Sequence, residues 1–258
     1  MPEISTSETQ IYSVLAEVYD VLMDDVNYEL WADFIDEIMI EHHPEPTEVL
    51  ELACGTGTMA LSLEEFDCYN ITATDASPQM INKAREKASK TDSKIDFRTM
   101  DFLSIDLDKR YDVIYMVFDS INYLLSDDDI HKFFGEIKKV LNSNGIFIFD
   151  FTTPRNSVKS IKYLNNETGT AKTGYKYYRT TRFDRKENMH YNDFRIHKLD
   201  NNQKIMQNYR EIHKQRIHTL HEMKSFIGKS ELDLVTAYDG FQLKPAHKNS
   251  LRITMVLQ

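Results

Sequence analysis

The 258-residue chain holds only two cysteines, Cys54 and Cys68, with six prolines and eight glycines. Two thiols cannot build a disulfide framework or a cysteine-based zinc site. Both fall in segments that read as sheet core, so buried, inert thiols are expected. No stretch approaches the roughly 18 consecutive apolar residues of a membrane span. The opening MPEISTSETQ lacks a hydrophobic signal core. A cytoplasmic protein with no membrane attachment is therefore the expectation. Positive charge is scarce as well: 31 Lys and Arg face 41 Asp and Glu, for a net charge of -10. That balance makes a nucleic-acid partner spread over the whole surface unlike this chain. What is present, 41% hydrophobic and 28% charged residues, suits one large globular domain or a domain carrying an insertion.

Charge is unevenly placed. Residues 171–216 hold twelve Lys and Arg against five Asp and Glu, a local excess of seven positive charges. The segment is rich in tyrosine, and its apolar spacing differs from what precedes it, which marks a subdomain. Before it, Ser5 to Glu8 reads as a capping box, with Ile11, Leu15, Val18, Tyr19 and Leu22 following at helical spacing. A second amphipathic helix is expected over 27–42, stopped by Pro44 and Pro46. Apolar strands then alternate with helices: strands at 48–53, 69–74, 95–100, 111–118 and 146–151. Helices follow the first strand, open at Ser77-Pro78, and open again at Ser126. This is the signature of a parallel sheet covered on both faces, doubly wound by right-handed crossovers. The pattern breaks at Pro154. Long strand-like runs at 176–183, 189–199 and 205–217 predict an antiparallel meander. A capping box at Thr219 to Glu222 then restarts the α/β pattern with a helix to about 229 and strands near 232–238 and 251–257. The expected organisation is an α/β body over 1–153 and 219–258, opened by a helical cap, with an inserted antiparallel β lid over 154–218.

In open α/β sheets ligands bind outside the carboxyl ends of the strands, where strand order reverses. The first sheet strand and its turn, residues 51–58 (ELACGTGT), mark that place. Gly55 and Gly57 allow a tight turn and close backbone approach to a ligand. Asp75, twenty residues beyond Gly55, ends the next strand, where a carboxylate accepts ribose hydroxyls. A dinucleotide site wants a third glycine before its helix, and here Thr58, Met59 and Ala60 follow instead. Glu51 would repel a pyrophosphate and welcome a cationic amino-acid portion. A sulfonium nucleoside fits this turn better than a dinucleotide.

Residues 50–57 (LELACGTG), 74–80 (TDASPQM), Met100-Asp101-Phe102 and 141–145 (LNSNG) resemble the ordered motifs of class I S-adenosylmethionine-dependent methyltransferases. The resemblance covers residues 48–153, and the final helix and two strands resemble that family's C-terminal end. It implies a mostly parallel seven-stranded, Rossmann-like sheet with an antiparallel last strand, and S-adenosylmethionine as cofactor. It further implies that Glu51, Ala53, Gly55 and Gly57 surround the methionine portion and Asp75 the ribose. Ala76 or Met80 would touch adenine, Asp101 and Phe102 would reach its amino group and face, and Phe118 would sit near the sulfonium. Ala53 departs from the glycine that the family often has. The region of Tyr12 and Tyr19 resembles the N-terminal helix of small-molecule methyltransferases, where either hydroxyl would meet the cofactor carboxylate.

Methyl transfer is an in-line displacement that needs alignment and exclusion of water rather than a metal or a covalent intermediate. Residues 119–123 (DSINY) stand where the acceptor meets the methyl group. They lack the Asn/Asp-Pro-Pro-aromatic run of nucleobase amino methyltransferases and resemble the small-molecule branch. Phe118, Asp119 and Tyr123 are the candidates there. From the lid, alternation places Tyr209, Glu211, His213 and Gln215 on one face of a strand, and His213 and Arg216 are the candidates to grip an acceptor. The expected activity is methylation of a nitrogen or oxygen on a small-molecule acceptor by a monomer or homodimer. The alternatives are an RNA or protein methyltransferase using the basic lid, a non-catalytic module that holds S-adenosylmethionine, and, more distantly, a nicotinamide oxidoreductase.

Overall fold

The structure is a computed structural model that describes residues 5–258; residues 1–4, the start of the polar opening stretch, lie outside the described residues. In chain order come β1 (Thr6–Glu8), α1 (Tyr19–Leu22), α2 (Tyr28–His42), β2 (Glu48–Leu52), α3 (Thr58–Glu64), β3 (Asn70–Asp75), α4 (Pro78–Ala88), β4 (Asp96–Thr99) and β5 (Tyr111–Met116). Next are α5 (Asp127–Val140), β6 (Leu141–Thr152), α6 (Pro154–Leu164), β7 (Glu167–Thr170), β8 (Tyr175–Asp184), β9 (Met189–Leu199) and β10 (Ile205–Arg216). The chain ends with α7 (Leu220–Ile227), β11 (Leu234–Asp239), β12 (Gln242–Pro245) and β13 (Arg252–Leu257). Among the described residues no helix is long and apolar enough to cross a membrane.

The main sheet has eight strands in the order β12-β11-β13-β6-β5-β2-β3-β4. Pairing is parallel from β6 through β4, while β13 runs antiparallel to both β6 and β11. Strand order reverses at β2, which has β3 on one side and β5 on the other. Alternation along each strand feeds two cores. Val49, Ala73, Val113 and Ile148 pack against α2, α3 and α4 on one face. Leu50, Ile114, Phe147 and Phe149 pack against α5 and α7 on the other. The eighth strand, β12, is a four-residue hairpin extension exposed at every position, so it carried no alternation by which to predict it.

The helix-start chemistry behaves as residue type dictates. Ser77 caps α4 by accepting Met80 N–H with Pro78 in the first turn, and Ser126 caps α5. The Thr219–Glu222 capping box is complete.

A second sheet, ordered β1-β10-β9-β8-β7, stands over the carboxyl end of the first. Its three long strands form the antiparallel meander. α6 precedes it where no helix was expected, capped by Thr153 and packed on β8.

The N-terminal expectation fails. Instead of a capping box and a long helix, Thr6–Glu8 pairs in parallel with β10. The chain then turns through Tyr12 at φ 59° and forms a short 3-10 turn, Leu15–Glu17, ahead of the one-turn α1. The reason is Glu211, whose carboxylate accepts the Tyr12, Val14 and Leu15 amides that a helix would have used within itself. The apolar residues at helical spacing still reach a core: Leu15 and Val18 pack on Tyr177, Phe194 and Ile196 of the second sheet. Cys54 is buried as expected; Cys68 is exposed, because it precedes β3 rather than lying in it.

Candidate active site

A cavity of about 430 Å³ opens at the carboxyl ends of β2, β3 and β5, within the range of small-molecule sites. Three carboxylates line it, from Glu51, Asp75 and Asp101, and among the described lining residues there is no lysine, arginine or histidine. Its remaining wall is strongly aromatic: Tyr12, Tyr19, Tyr28, Phe102, Phe118 and Tyr123.

Glu51 is 2% exposed, and its Oε2 has no hydrogen-bond partner. Burial pushes its carboxyl up to about 8; contacts with Tyr115 and the Ala60 amide oppose the rise, and the Asp75 charge adds to it. A buried carboxyl oxygen without a partner is costly unless a donor arrives. Asp75 is satisfied: one oxygen accepts Gly55 N–H at 2.9 Å, the other Ser77 N–H at 2.8 Å. It braces the glycine turn against the start of α4. Burial nevertheless raises its carboxyl, against those two hydrogen bonds.

Among the described residues, four of the nine non-glycine positions with positive φ lie in or beside the cavity. Tyr12, Ala53, Phe118 and Asp119 all have positive φ, between 55° and 62°, alongside Gly55 and Gly57. Such conformations cost about 1–2 kcal/mol per L-residue, and their clustering is typical of binding sites. Ala53 holds φ 55° where glycine would be unstrained. The Phe118–Asp119 turn is held from behind: Arg252 pairs with both Asp119 and Asp150, and Asp150 also accepts Asp119 N–H. Phe118 packs its ring between Tyr28 and Trp31.

The N-terminal segment roofs the cavity. Gln10 to Ser13 line it, and Ser77 Oγ donates to Tyr12 O at 2.7 Å. The Tyr19 ring lies 3.4 Å from where a Cβ on Gly55 would stand, ordinary van der Waals contact, so the φ of 56° rather than the ring calls for glycine there. Lys87 Nζ ties the segment to the turn by donating to Asp20, Thr56 and Thr58.

Of the residues read from sequence, Tyr12, Tyr19, Glu51, Ala53, Gly55, Asp75, Ala76, Met80, Asp101, Phe102, Phe118 and Tyr123 all line this cavity. Asp101 also accepts Leu103 N–H within its own turn, and Phe102 leans on Phe133. Four do not line it. Gly57 caps α3 at φ 76°, and a Cβ there would lie 2.8 Å from both Ala84 and the Phe97 ring, so its smallness serves packing under the loop. Asp119 faces Arg252. Arg216 points its guanidinium at Asp127, 2.6 Å away; only its backbone carbonyl reaches inward, accepting from Asn122. His213 is buried behind Tyr123, its Nδ1 2.9 Å from the Tyr123 hydroxyl. The other lid arginines are largely spoken for as well: Arg179 pairs with Glu167, Arg210 bidentately with Asp193, and Arg182 stacks on Tyr191.

Sequence reasoning missed Tyr28, Ser120, Gln10, Ile11 and Ser13 as lining, and Glu211 as the anchor of the N-terminal segment. Glu211 carried one signal, a carboxylate on the inward face of a strand two residues before His213.

Comparison with known proteins places residues 49–145 in a family described as a methyltransferase domain. YqeM of Bacillus subtilis (strain 168), named as a methyltransferase, is 34% identical over 141 residues, 54% of this chain and 55% of its own. The chain thus spans about half the length of the curated relatives it matches. Among solved structures, an S-adenosylmethionine-dependent methyltransferase from Clostridium acetobutylicum superposes with a TM-score of 0.77 and 25% identity, covering 95% of this chain and 97% of that one. The sugar N-methyltransferase KedS8 from Streptoalloteichus has the same fold, with a TM-score of 0.71, 16% identity and 98% of both chains covered.

Proposed function

We propose that this chain, whose residues 49–145 match a family described as a methyltransferase domain, transfers a methyl group from S-adenosylmethionine to a nitrogen or oxygen of a small molecule. One observation carries the reading: among the lining residues the only charged side chains are carboxylates, and one of them, Glu51, has a buried oxygen waiting for a donor. Such a lining repels the pyrophosphate of a dinucleotide and suits a ligand with an ammonium and a sulfonium.

When bound, the cofactor supplies a methyl group on a positively charged sulfur. The chain's residues divide the remaining work. Glu51 takes the α-ammonium, and the strained Ala53–Gly55 turn brings backbone against the methionine portion. Asp75, already fixed by Gly55 and Ser77, accepts the ribose hydroxyls. Ala76, Met80, Asp101 and Phe102 enclose the adenine. Tyr12, Tyr19, Tyr28 and Phe118 form the aromatic wall beside the reacting groups and keep water out, which strengthens each interaction inside. The acceptor enters on the side of Ser120 and Tyr123. Residues 154–218, with β1 completing their sheet, act as the lid over the body formed by 1–153 and 219–258.

The small-molecule reading gains support from the cavity and from the pairing of Arg179, Arg210 and Arg216 with acidic neighbours. Calorimetric titration with S-adenosylhomocysteine and with NAD tests the proposal. The first should bind, the second should not, and Asp75→Ala should weaken the first by at least roughly 100-fold, since ribose hydroxyls and the turn amides lose one shared acceptor. Binding of NAD alone, or unchanged affinity in Asp75→Ala, defeats it.

A further inference from the structure

An acceptor methylated at an O–H or N–H group sheds a proton, and the cavity's three carboxylates lie on the side assigned to the cofactor. On the acceptor side a different arrangement leads out of the cavity. Tyr12 and Tyr123 line it, with their hydroxyl oxygens 2.6 Å apart. Tyr123 Oη is 2.9 Å from His213 Nδ1. His213 Nε2 is 3.3 Å from Glu211 Oε2. Glu211 and His213 are 0% and 1% exposed.

Chemistry fixes the direction of every link. An ionised carboxylate only accepts, and burial, which would raise the Glu211 carboxyl, is outweighed by hydrogen bonds from His213 and the Leu15 and Val14 amides, which hold it below the usual carboxylate range. His213 therefore carries its hydrogen on Nε2 and offers the Nδ1 lone pair. Tyr123 donates to that lone pair, and Tyr12 donates to Tyr123. The open lone pair at the cavity end belongs to Tyr12 Oη. Burial keeps both phenols far from ionisation, so each is an O–H.

We propose that Tyr12, Tyr123 and His213 form a proton exit for the methyl acceptor, with Glu211 as the positioning residue that sets the His213 tautomer. The proposal rests on the methyltransferase reading above. As the acceptor's nitrogen or oxygen gives up its proton, that proton bonds to Tyr12 Oη. The Tyr12 hydrogen passes to Tyr123 Oη, and the Tyr123 hydrogen to His213 Nδ1. One O–H bond breaks and one forms at each phenol, both phenols end neutral, and the imidazole ends as a cation facing a carboxylate.

The chain of contacts also closes on itself. Glu211 Oε2 accepts the Tyr12 backbone N–H at 2.7 Å as well as His213. The exit is thus assembled only when the N-terminal segment is docked on β10. The groups facing His213 are Tyr12, Tyr123 and Glu211. Behind the Phe194 ring, 5.2 Å from His213, stands Arg179, itself paired with Glu167.

Sinefungin, which carries an amine where the cofactor has its sulfonium methyl, probes the exit without an identified acceptor. Its affinity is measured by calorimetry from pH 5 to 8 and divided by that of S-adenosylhomocysteine. Both ligands share the methionine and ribose groups, so titration of Glu51 and Asp75 cancels in the ratio. In the wild-type protein the ratio should fall by roughly tenfold or more toward pH 5, since a proton placed on Nδ1 would end its acceptance from Tyr123. In His213→Gln and in Tyr123→Phe the change should shrink to about twofold or less, with S-adenosylhomocysteine binding reporting that each variant is folded. A ratio independent of pH in the wild type, or a wild-type slope in a folded variant, overturns the exit. A protein that binds neither ligand overturns the cofactor reading and the exit together.

Discussion

Lowering the pH should weaken cofactor binding, and Glu51 should be the cause. In the free protein burial holds its carboxyl at about 8, so near neutrality the group is protonated. An α-ammonium placed against it favours the ionised form, and each binding event then expels a proton. If binding requires the ionised group, apparent affinity falls by roughly twofold at pH 8, tenfold at pH 7 and 100-fold at pH 6 relative to its alkaline limit. Between pH 8 and 6 that is about 2.3 kcal/mol. The sign follows from the shift: a carboxyl raised in the free state and lowered in the complex makes affinity rise with pH. Calorimetry of S-adenosylhomocysteine at pH 6, 7 and 8, in buffers of different ionisation enthalpy, measures both the slope and a release approaching one proton. 5′-Methylthioadenosine, which lacks the amino-acid portion, controls for Asp75 and should show a much weaker slope. Glu51→Gln should remove the excess slope while leaving affinity near the wild-type value at pH 6. An S-adenosylhomocysteine affinity that is flat from pH 6 to 8, or a thioadenosine slope equal to it, would refute the placement of the ammonium.

Three further outcomes follow from the packing. Glu211→Ala strands the Tyr12, Val14 and Leu15 amides and should cost about 3–5 kcal/mol, read as a lower urea midpoint and faster proteolysis between residues 9 and 15. Because the Glu211 carboxyl is depressed in the folded state, its contribution should be complete above the ordinary glutamate range and vanish as pH falls through the folded value; wild-type stability insensitive to acid, relative to the variant, contradicts this. Gly57→Ala should destabilise by about 2–4 kcal/mol, through the left-handed backbone and the contact with Ala84 and Phe97, as measured by urea unfolding. Ala53→Gly relieves a positive φ and should be neutral or stabilising by up to about 1 kcal/mol; a clear loss in thermal melting counts against strain at that turn.

The body of the fold was legible because its signals are local. Apolar runs at 48–53, 111–118 and 146–151 read as buried strands without knowledge of their partners. Ser77-Pro78 and Thr219 to Glu222 announced helix starts through chemistry confined to four residues. The cavity at the strand ends was legible for the same reason: a glycine turn, then a carboxylate one strand on. β12 had no pattern to read, and Gly57 was assigned to the ligand because nothing in sequence tells close approach to a ligand from close approach to Phe97. Arg216 was drawn toward the acceptor by its position, whereas its partner Asp127 lies 89 residues away in sequence.

Sequence alone determined the parallel sheet, the carboxylate-lined turn and the long meander, since each depends on periodicity or on residue type at short spacing. Tertiary structure decided the path of the N-terminal segment. Helical spacing there was overridden by one carboxylate, Glu211, which takes the Tyr12 amide across 199 positions of chain. The same contact brings Tyr12 to Tyr123 and His213, because a buried charge must gather donors from wherever the fold can deliver them.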